Sequence, residues 1–414
     1  MNLWPWSKKT QTTGLTPEDV LREFLRGAES ATGIPVNHTT ALQASTALAC
    51  ARVIAEGLAQ VPLKLLRKLP EGGSEAAVDR PGYDVVHSKP NSYQSSYDWR
   101  EQAGLHLVFA GNHYAFINRT QFGIQEILPY EPSSVSVTKV NHELRYEVLL
   151  ADGRWMKVPA ADMLHLKGPS WNGFEGLDGV KLAREAIGLG MATEKHGAKL
   201  FANGATPGGV LSSDQVTMTR EQKDLLRESW ESTHGGANNA YKTAVLWGGM
   251  KWDSTAQHND QAQFLQTRAF QVEEVCRAFR VMPIMVGHAD KAATYASAEQ
   301  MFLAHVVHTM GPWYSRLEQA YDTQLLTDKE RTVEGLYFNH VVAGLMRGSH
   351  KDRADYYSKM YTIGALSPNE IRAREEMNPY DGGDEYRVPM NAETPGTGEP
   401  DQPDEASEED DDES

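Results

Sequence analysis

His305 and His308 stand one helical turn apart, a spacing that could place two imidazoles on one face and begin a metal site. No third ligand lies nearby, so packed or solvated histidines explain the pair better. Asp381, Asp384 and Glu385 surround Gly382-Gly383 and could hold a cation, although a solvated turn accounts for them more simply. Gly188-Leu189-Gly190 lacks the third glycine of a dinucleotide loop and falls inside a helical pattern. The chain contains no GxxxxGK[ST] phosphate loop, no HExxH, no GxSxG and no CxxC pair. No catalytic residue, metal ligand or cofactor is therefore expected, and the chain is not read as an enzyme.

The most informative stretch is 264–303, where a charged amphipathic helix is stopped by proline, followed by a short polar loop and a second helix. Leu265, Ala269, Val272, Cys276 and Phe279 recur at spacings of four and three, a narrow coiled-coil-like seam. The other face carries Gln263, Gln266, Thr267, Glu273, Glu274 and Arg277. A narrow seam backed by a long polar face suits a helix packed among similar helices around a wet hole, although an ordinary surface helix shows the same pattern. The loop GHADKAATYAS sets small residues around one basic side chain, Lys291, which could touch phosphate.

The elements that must position these residues span a chain long enough for two or three domains. Its 414 residues carry a net charge of -16, but unevenly: residues 393–414 hold 11 acids and no Lys or Arg, leaving 45 acids against 40 bases before them. The body is only mildly acidic, which argues against a surface built to neutralise phosphates tightly. Two cysteines, Cys50 and Cys276, exclude a disulfide scaffold and fit a reducing compartment. The start, MNLWPWSKK, lacks the apolar core of a secretory signal, and no run approaches the roughly 20 apolar residues of a membrane helix.

Periodicity predicts a flexible arm over 1–37 with one short helix at 17–27. A helix follows over 40–59 with Ala47, Cys50, Ala51, Ile54 and Leu58 inward, then a strand at LKLL and a Pro/Gly-rich loop at 69–82. Ser95 and Asp98 form a capping-box start for a helix that ends at Gly111. Six strands follow within 113–167, then a Gly-rich loop at 168–179 and a helix over 180–203. Residues 205–258 read as a small α+β insertion whose helix is capped by Thr219 with Gln222, and buries Leu226 and Trp230. A helix over 260–280 and a long helix over 297–326, kinked at Gly311-Pro312, come next. Strand-like VEGLYFN precedes mostly helical residues to 390. The acidic tail, 391–414, cannot bury enough apolar surface to offset its ordering.

In order and spacing these pieces resemble the tailed-bacteriophage portal proteins of the lambdoid HK97-type family, over roughly 38–390. ALACARVIAEGLAQVPLKLLRK resembles the first family helix and strand, and GNHYAFINRTQFGIQEILPYEPSSVSV the family's "GN-Y" strand and its continuation. LHLKGPSWNGFEGLDGVKLAREAI resembles the lead into the central helices, and FQVEEVCRAFRVMPIMVG with ATYAS the most specific signature. Val281-Met282-Pro283 departs from the usual Val-Pro-Pro, and Ala293 or Ala296 stands where Ser or Asn is common. The resemblance implies an α+β portal fold with wing, stem, clip and crown regions. Carried over, 38–179 is wing, 180–204 and 260–286 are stem helices, 205–259 is the clip, 287–297 is the tunnel loop, and 298–390 holds the kinked long helix with the remaining wing and crown helices.

The same resemblance implies a twelve-subunit homo-oligomeric ring at one capsid vertex of the virion, assembled in the host cytoplasm. Double-stranded DNA is packaged and ejected through it. Its partners are a large terminase, a head-tail connector or adaptor, the major capsid protein and the scaffold, with no membrane. On this reading His288, Asp290, Lys291 and Thr294 line the narrowest point, and Gln266, Glu273, Glu274 and Arg277 face the channel from the stem. Arg220, Lys223, Arg227 and Glu228 form the docking face of the clip. The alternatives are a metal-dependent nuclease, which would need converging carboxylates, and a capsid or connector protein of another type.

Overall fold

The computed structural model describes residues 29–202, 209–213, 218–234, 246, 249–254, 260–288, 295–342, 350–375 and 377–387. The chain divides into two compact units, 1–341 and 342–414.

The helix expected over 40–59 is two helices. Asn37 caps the single turn α1 (His38–Ala41) through a capping box with Thr40, and α2 (Ser45–Gln60) follows. On α2, Ala47, Cys50, Ala51, Ile54 and Leu58 are all buried, as the periodicity predicts. Val61, held extended ahead of Pro62, ends the helix. The strand β1 (Leu63–Lys68) pairs antiparallel with a short β2 (Ser74–Ala76), and α3 (Pro81–His87) opens with proline at its first turn. The segment 69–82, expected as loop alone, thus contains β2. Its three residues are all exposed, so no alternation betrayed it.

The capping box of Ser95 and Asp98 starts α4 (Ser96–Ala110), which ends on Gly111 in the left-handed region, φ 74. The small residues of α2 let α4 come close: a Cβ on Gly104 would lie 2.6 Å from the Ala55 backbone. Six strands follow: β3 (Asn112–Thr120), β4 (Gly123–Tyr130), β5 (Val135–Val140), β6 (Glu143–Leu149), β7 (Trp155–Val158) and β8 (Met163–Lys167). They form two antiparallel sheets, ordered β4-β3-β8 and β5-β6-β7. Tyr114 and Met163 from the first pack against Tyr146, Val148 and Val158 from the second. These side chains alternate along their strands, the period that puts one face inward.

Two helices, α5 (Gly179–Leu182) and α6 (Arg184–Ala202), replace the single helix expected over 180–203. Residues 29–37, expected within a flexible arm, instead form a turn docked on α6. The Ala31 N–H donates to Glu185 at 2.9 Å, and Ser30 packs so closely on Gly188 that a Cβ there would lie 2.3 Å from its hydroxyl. The expected helix at 17–27 and the acidic tail lie outside the described residues.

The insertion supplies β9 (Gly209–Ser213), α7 (Arg220–His234) and β10 (Met250–Ser254), with β9 and β10 antiparallel. The capping box of Thr219 and Gln222 is formed. Leu226 and Trp230 are half-buried, and Trp230 stacks on Trp252 with ring centroids 5.3 Å apart.

Next comes α8 (Asp260–Phe279). Its end is closed by Arg280, whose φ of 56 is a position usually held by glycine. The Val281 N–H donates to Cys276 O and the Arg280 N–H to Arg277 O, while the Thr309 hydroxyl donates to Arg280 O. Since the Arg280 side chain is exposed, Arg280→Gly should relieve the left-handed strain and stabilise the chain by about 1 kcal/mol, read as a rise in the urea midpoint at unchanged m.

The long helix is interrupted. A helix α9 (Tyr295–Ala304) passes through a π-helical stretch, His305–Met310, into α10 (Gly311–Gln324). At Gly311-Pro312, where a kink is expected, Gly311 stays helical at φ -51, and the irregularity falls one turn earlier, in the π-helical stretch. Pro312 has no N–H to return, and its ring needs room beside the preceding turn, which a widened turn provides. A helix α11 (Asp328–Thr332) leads to β11 (Leu336–His340), which pairs antiparallel with β1 to complete the sheet β11-β1-β2.

In the second unit, α12 (His350–Thr362) and α13 (Pro368–Arg374) are described. Ser367 and Glu370 box the start of α13. Arg353 reaches Glu375 at 3.4 Å.

Candidate functional site

The site is built around α8, whose two faces differ. Gln271, Val275, Cys276 and Phe279 are buried, with Ala269 and Val272 half-buried. The inward stripe therefore includes two residues, Gln271 and Val275, that the expected seam omitted. Phe279 meets Phe109 of α4 edge to face at 6.2 Å between centroids, and Cys276 Sγ lies 3.8 Å from Cys50 Sγ of α2. The hydrogen bond to Cys276 and burial push the Cys50 thiol up, so it stays protonated.

The opposite face presents Gln266, Glu273 and Arg277 to solvent. Glu274 sits at the edge of this face, half-buried, and pairs with Arg277 one turn on. Glu273 has an imidazole beside it, because His288 Nε2 lies 3.9 Å from its carboxylate. Of the two acids expected to face the channel, Glu274 is thus paired with a cation of the same chain and Glu273 lies beside an imidazole. Phe270 shares the polar face and is 52% exposed, which the heptad pattern concealed because it follows Ala269 directly. Of the expected loop residues, His288 is described, and Asp290, Lys291 and Thr294 lie outside the described residues.

On the insertion, Arg220, Lys223, Arg227 and Glu228 are all exposed along α7. They form no ion pair among the described residues. His305 is buried and His308 exposed, so the two imidazoles do not converge. The Gly382-Gly383 turn is tied by Asn369, whose amide donates to Asp384 at 3.0 Å. Among the described residues no three potential ligands gather where a metal could sit.

The stretch GNHY has a structural use. Gly111 crosses so near the 168–178 loop that a Cβ on it would lie 2.2 Å from Leu177 O. The Asn112 carboxamide accepts from the Gly176 N–H at 2.7 Å and donates to Gly176 O at 3.3 Å. Its oxygen also meets His165 Nε2 at 3.0 Å, while His165 Nδ1 lies 3.2 Å from the Tyr146 hydroxyl. One amide therefore ties the loop entering α5 to both sheets. The side chain of Gln324 bonds the His165 backbone on both sides, joining α10 to the same point.

A mixed helix-and-sheet body and a helical pair interrupted by a small α+β insertion, with one solvated helix face, define the architecture of the chain. The Phage portal protein family matches residues 45–376, and the chain belongs to that family. It is 33% identical over 380 residues to the probable portal protein of Streptomyces phage phiC31, covering 88% of this chain and 82% of that one. To the portal protein of Enterobacteria phage HK97 it is 28% identical, covering 84% and 82%. Among solved structures, the neck of a native GTA particle computed with C12 symmetry superimposes at a TM-score of 0.55 and 20% identity, over 87% of this chain and 99% of that one. The HK97-type portal fold expected from the four sequence segments is thereby established, and the nuclease alternative is not favoured.

Proposed function

We propose that the chain closes into a homo-oligomeric ring at one capsid vertex and that double-stranded DNA enters and leaves through the hole. The exposed face of α8, polar except at Phe270 and backed by a buried stripe, carries this reading. A channel for sliding DNA must not grip it, since each fixed cation–phosphate contact adds affinity by releasing counterions. Gln266, Glu273, Glu274 and Arg277 meet that need: Gln266 is uncharged, Arg277 is already paired with Glu274, and the Glu273 carboxylate offers a passing polyanion nothing to hold. Lys291, with His288, Asp290 and Thr294, supplies sparse contacts at the narrowest point, and a ring multiplies one weak contact by the number of subunits.

In the family's terms, 38–179 is wing, 180–204 and 260–286 stem, 205–259 clip, 287–297 tunnel loop and 298–390 the remaining wing and crown. The exposed charges of α7 suit docking of a large terminase and later of a head-tail adaptor. Capsid protein and scaffold contacts complete assembly in the host cytoplasm. With no phosphate loop in the sequence, the energy for packaging comes from the terminase.

Electron microscopy of the purified chain tests the reading: rings with a central hole are expected, and compact monomers would refute it. Lys291→Glu is expected to leave rings intact while lowering packaged DNA. Normal phage yield from that variant would remove the loop from the account, and a terminase pull-down indifferent to charge reversal on α7 would remove the docking face.

A further inference from the structure

A small cavity of ≈ 50 Å³ with mixed polar and apolar walls lies where the start of α2 meets α6 and α8. Ser45 and Thr46 of α2, Glu194 of α6, and Arg268 and Gln271 of α8 are in its wall. Gln271 is only 7% exposed, yet its Oε1 is buried without a hydrogen-bond partner. An unpaired buried amide oxygen costs about 1–3 kcal/mol, so its retention here calls for a ligand. The helix end beside it is bare as well. Ala44 has no side chain with which to cap α2, and the first turn of α2 carries no acid. Arg268 is exposed and makes no ion pair among the described residues.

We propose that this cavity is a binding site for a carboxylate group. The first-turn N–H groups of α2 and the positive end of its dipole favour an anion there. The Arg268 guanidinium supplies charge and a forked donor. Half a turn of the Gln271 amide exchanges its two ends, so that the orphaned position becomes a donor. The cavity has room for several waters or for one carboxyl head. Glu194 opposes an anion, and its removal should tighten binding.

The carboxylate comes either from an acidic side chain of a second copy of this chain or from a free small acid. The first source rests on the ring reading; the site itself does not. Formate added to the full-length chain at constant ionic strength, with chloride as the reference, distinguishes them. Wild type is expected to melt higher in formate, Glu194→Gln higher still, and Gln271→Met and Arg268→Gln to show no formate-specific rise. Arg268 is exposed, so its variant separates loss of the site from loss of folding. If all four chains respond alike, or none responds and formate leaves assembly unchanged, the cavity holds only water and the proposal fails.

Native mass spectrometry then reads the source. If a second copy provides the acid, formate and Arg268→Glu should each raise the concentration needed for assembly by about tenfold. A formate-dependent melting shift with unchanged assembly assigns the site to a free acid and overturns the second-copy source. Absence of rings in every chain would refute the ring reading while leaving the melting result to decide the site.

Discussion

Gly111→Ala is expected to remove most of the folded protein. Two penalties coincide at this residue. Its φ of 74 costs a side chain about 1–2 kcal/mol, and its Cβ would lie 2.2 Å from Leu177 O and 2.6 Å from Leu177 C. Relief requires the 168–178 loop to withdraw, which breaks the Asn112–Gly176 bonds, and overpacking of this kind adds about 1–3 kcal/mol. The sum, about 2–5 kcal/mol, is a large share of the stability of an ordinary domain. Gly153→Ala is the control. Gly153 has a φ of 81 but nothing within 4 Å of its Cβ position, so only the backbone cost applies. Urea unfolding should place Gly153→Ala about 1–2 kcal/mol below wild type. Equal losses in the two variants would show that the interlock with Leu177 contributes nothing.

That interlock marks the limit of what a single sequence displays. Local rules made most elements readable. The capping boxes at Ser95 and Thr219 announced their helices, the alternation in RYEVLLA announced β6, and the inward stripe of α2 followed from its period. What stayed hidden depends on contacts distant in sequence. The π turn before Pro312 answers crowding beside a ring, and Pro alone says only that something must give. The turn at 29–37 reads as polar linker because its partner, α6, lies more than 150 residues away. The candidate site divided in the same manner. The polar face of α8 was readable from spacing, because 3.6 residues per turn fixes which side chains share a side. The pairing of Glu273 with His288 was not, since it depends on how the chain turns after Pro283. Gln271 was unreadable for another reason: a polar residue beside the seam looks like solvent-facing surface until α2 and α6 close over it.

Acidification should unfold the first unit well before its carboxylates are protonated. Among the described residues, five histidines are held below their ordinary value inside it, including His305 and His340, and the other three are pushed furthest down. His113 is fully buried, and its Nδ1 lies 3.0 Å from that of His106, so one ring donates and the other accepts. Trp99 packs edge-on against His113. His165, 2% exposed, donates from Nε2 to the Asn112 oxygen and accepts from the Tyr146 hydroxyl. No carboxylate bonds any of the three among the described residues, and burial lowers their affinity for protons. His106 is pushed down to about 4 and His165 to about 3, and His113 falls well below its ordinary value. Because the folded values lie below the unfolded value of about 6.5, the unfolded chain binds more protons as pH falls. Their contribution is complete above pH 6.5 and is lost through the window down to about 3–4. By pH 5 each of the three has cost about 2 kcal/mol, and the three together about 6 kcal/mol, comparable with the whole stability of many domains. The depressed carboxyls Asp178 and Glu318 add the same sign at lower pH, and the raised Asp322 opposes them. Urea unfolding between pH 7 and 5 measures the slope. In His113→Leu the absolute stability changes with packing and with the lost bond to His106, but the slope should fall by roughly a fifth to a third, since one of several depressed histidines is gone. A wild-type slope in that variant would assign the acid sensitivity elsewhere.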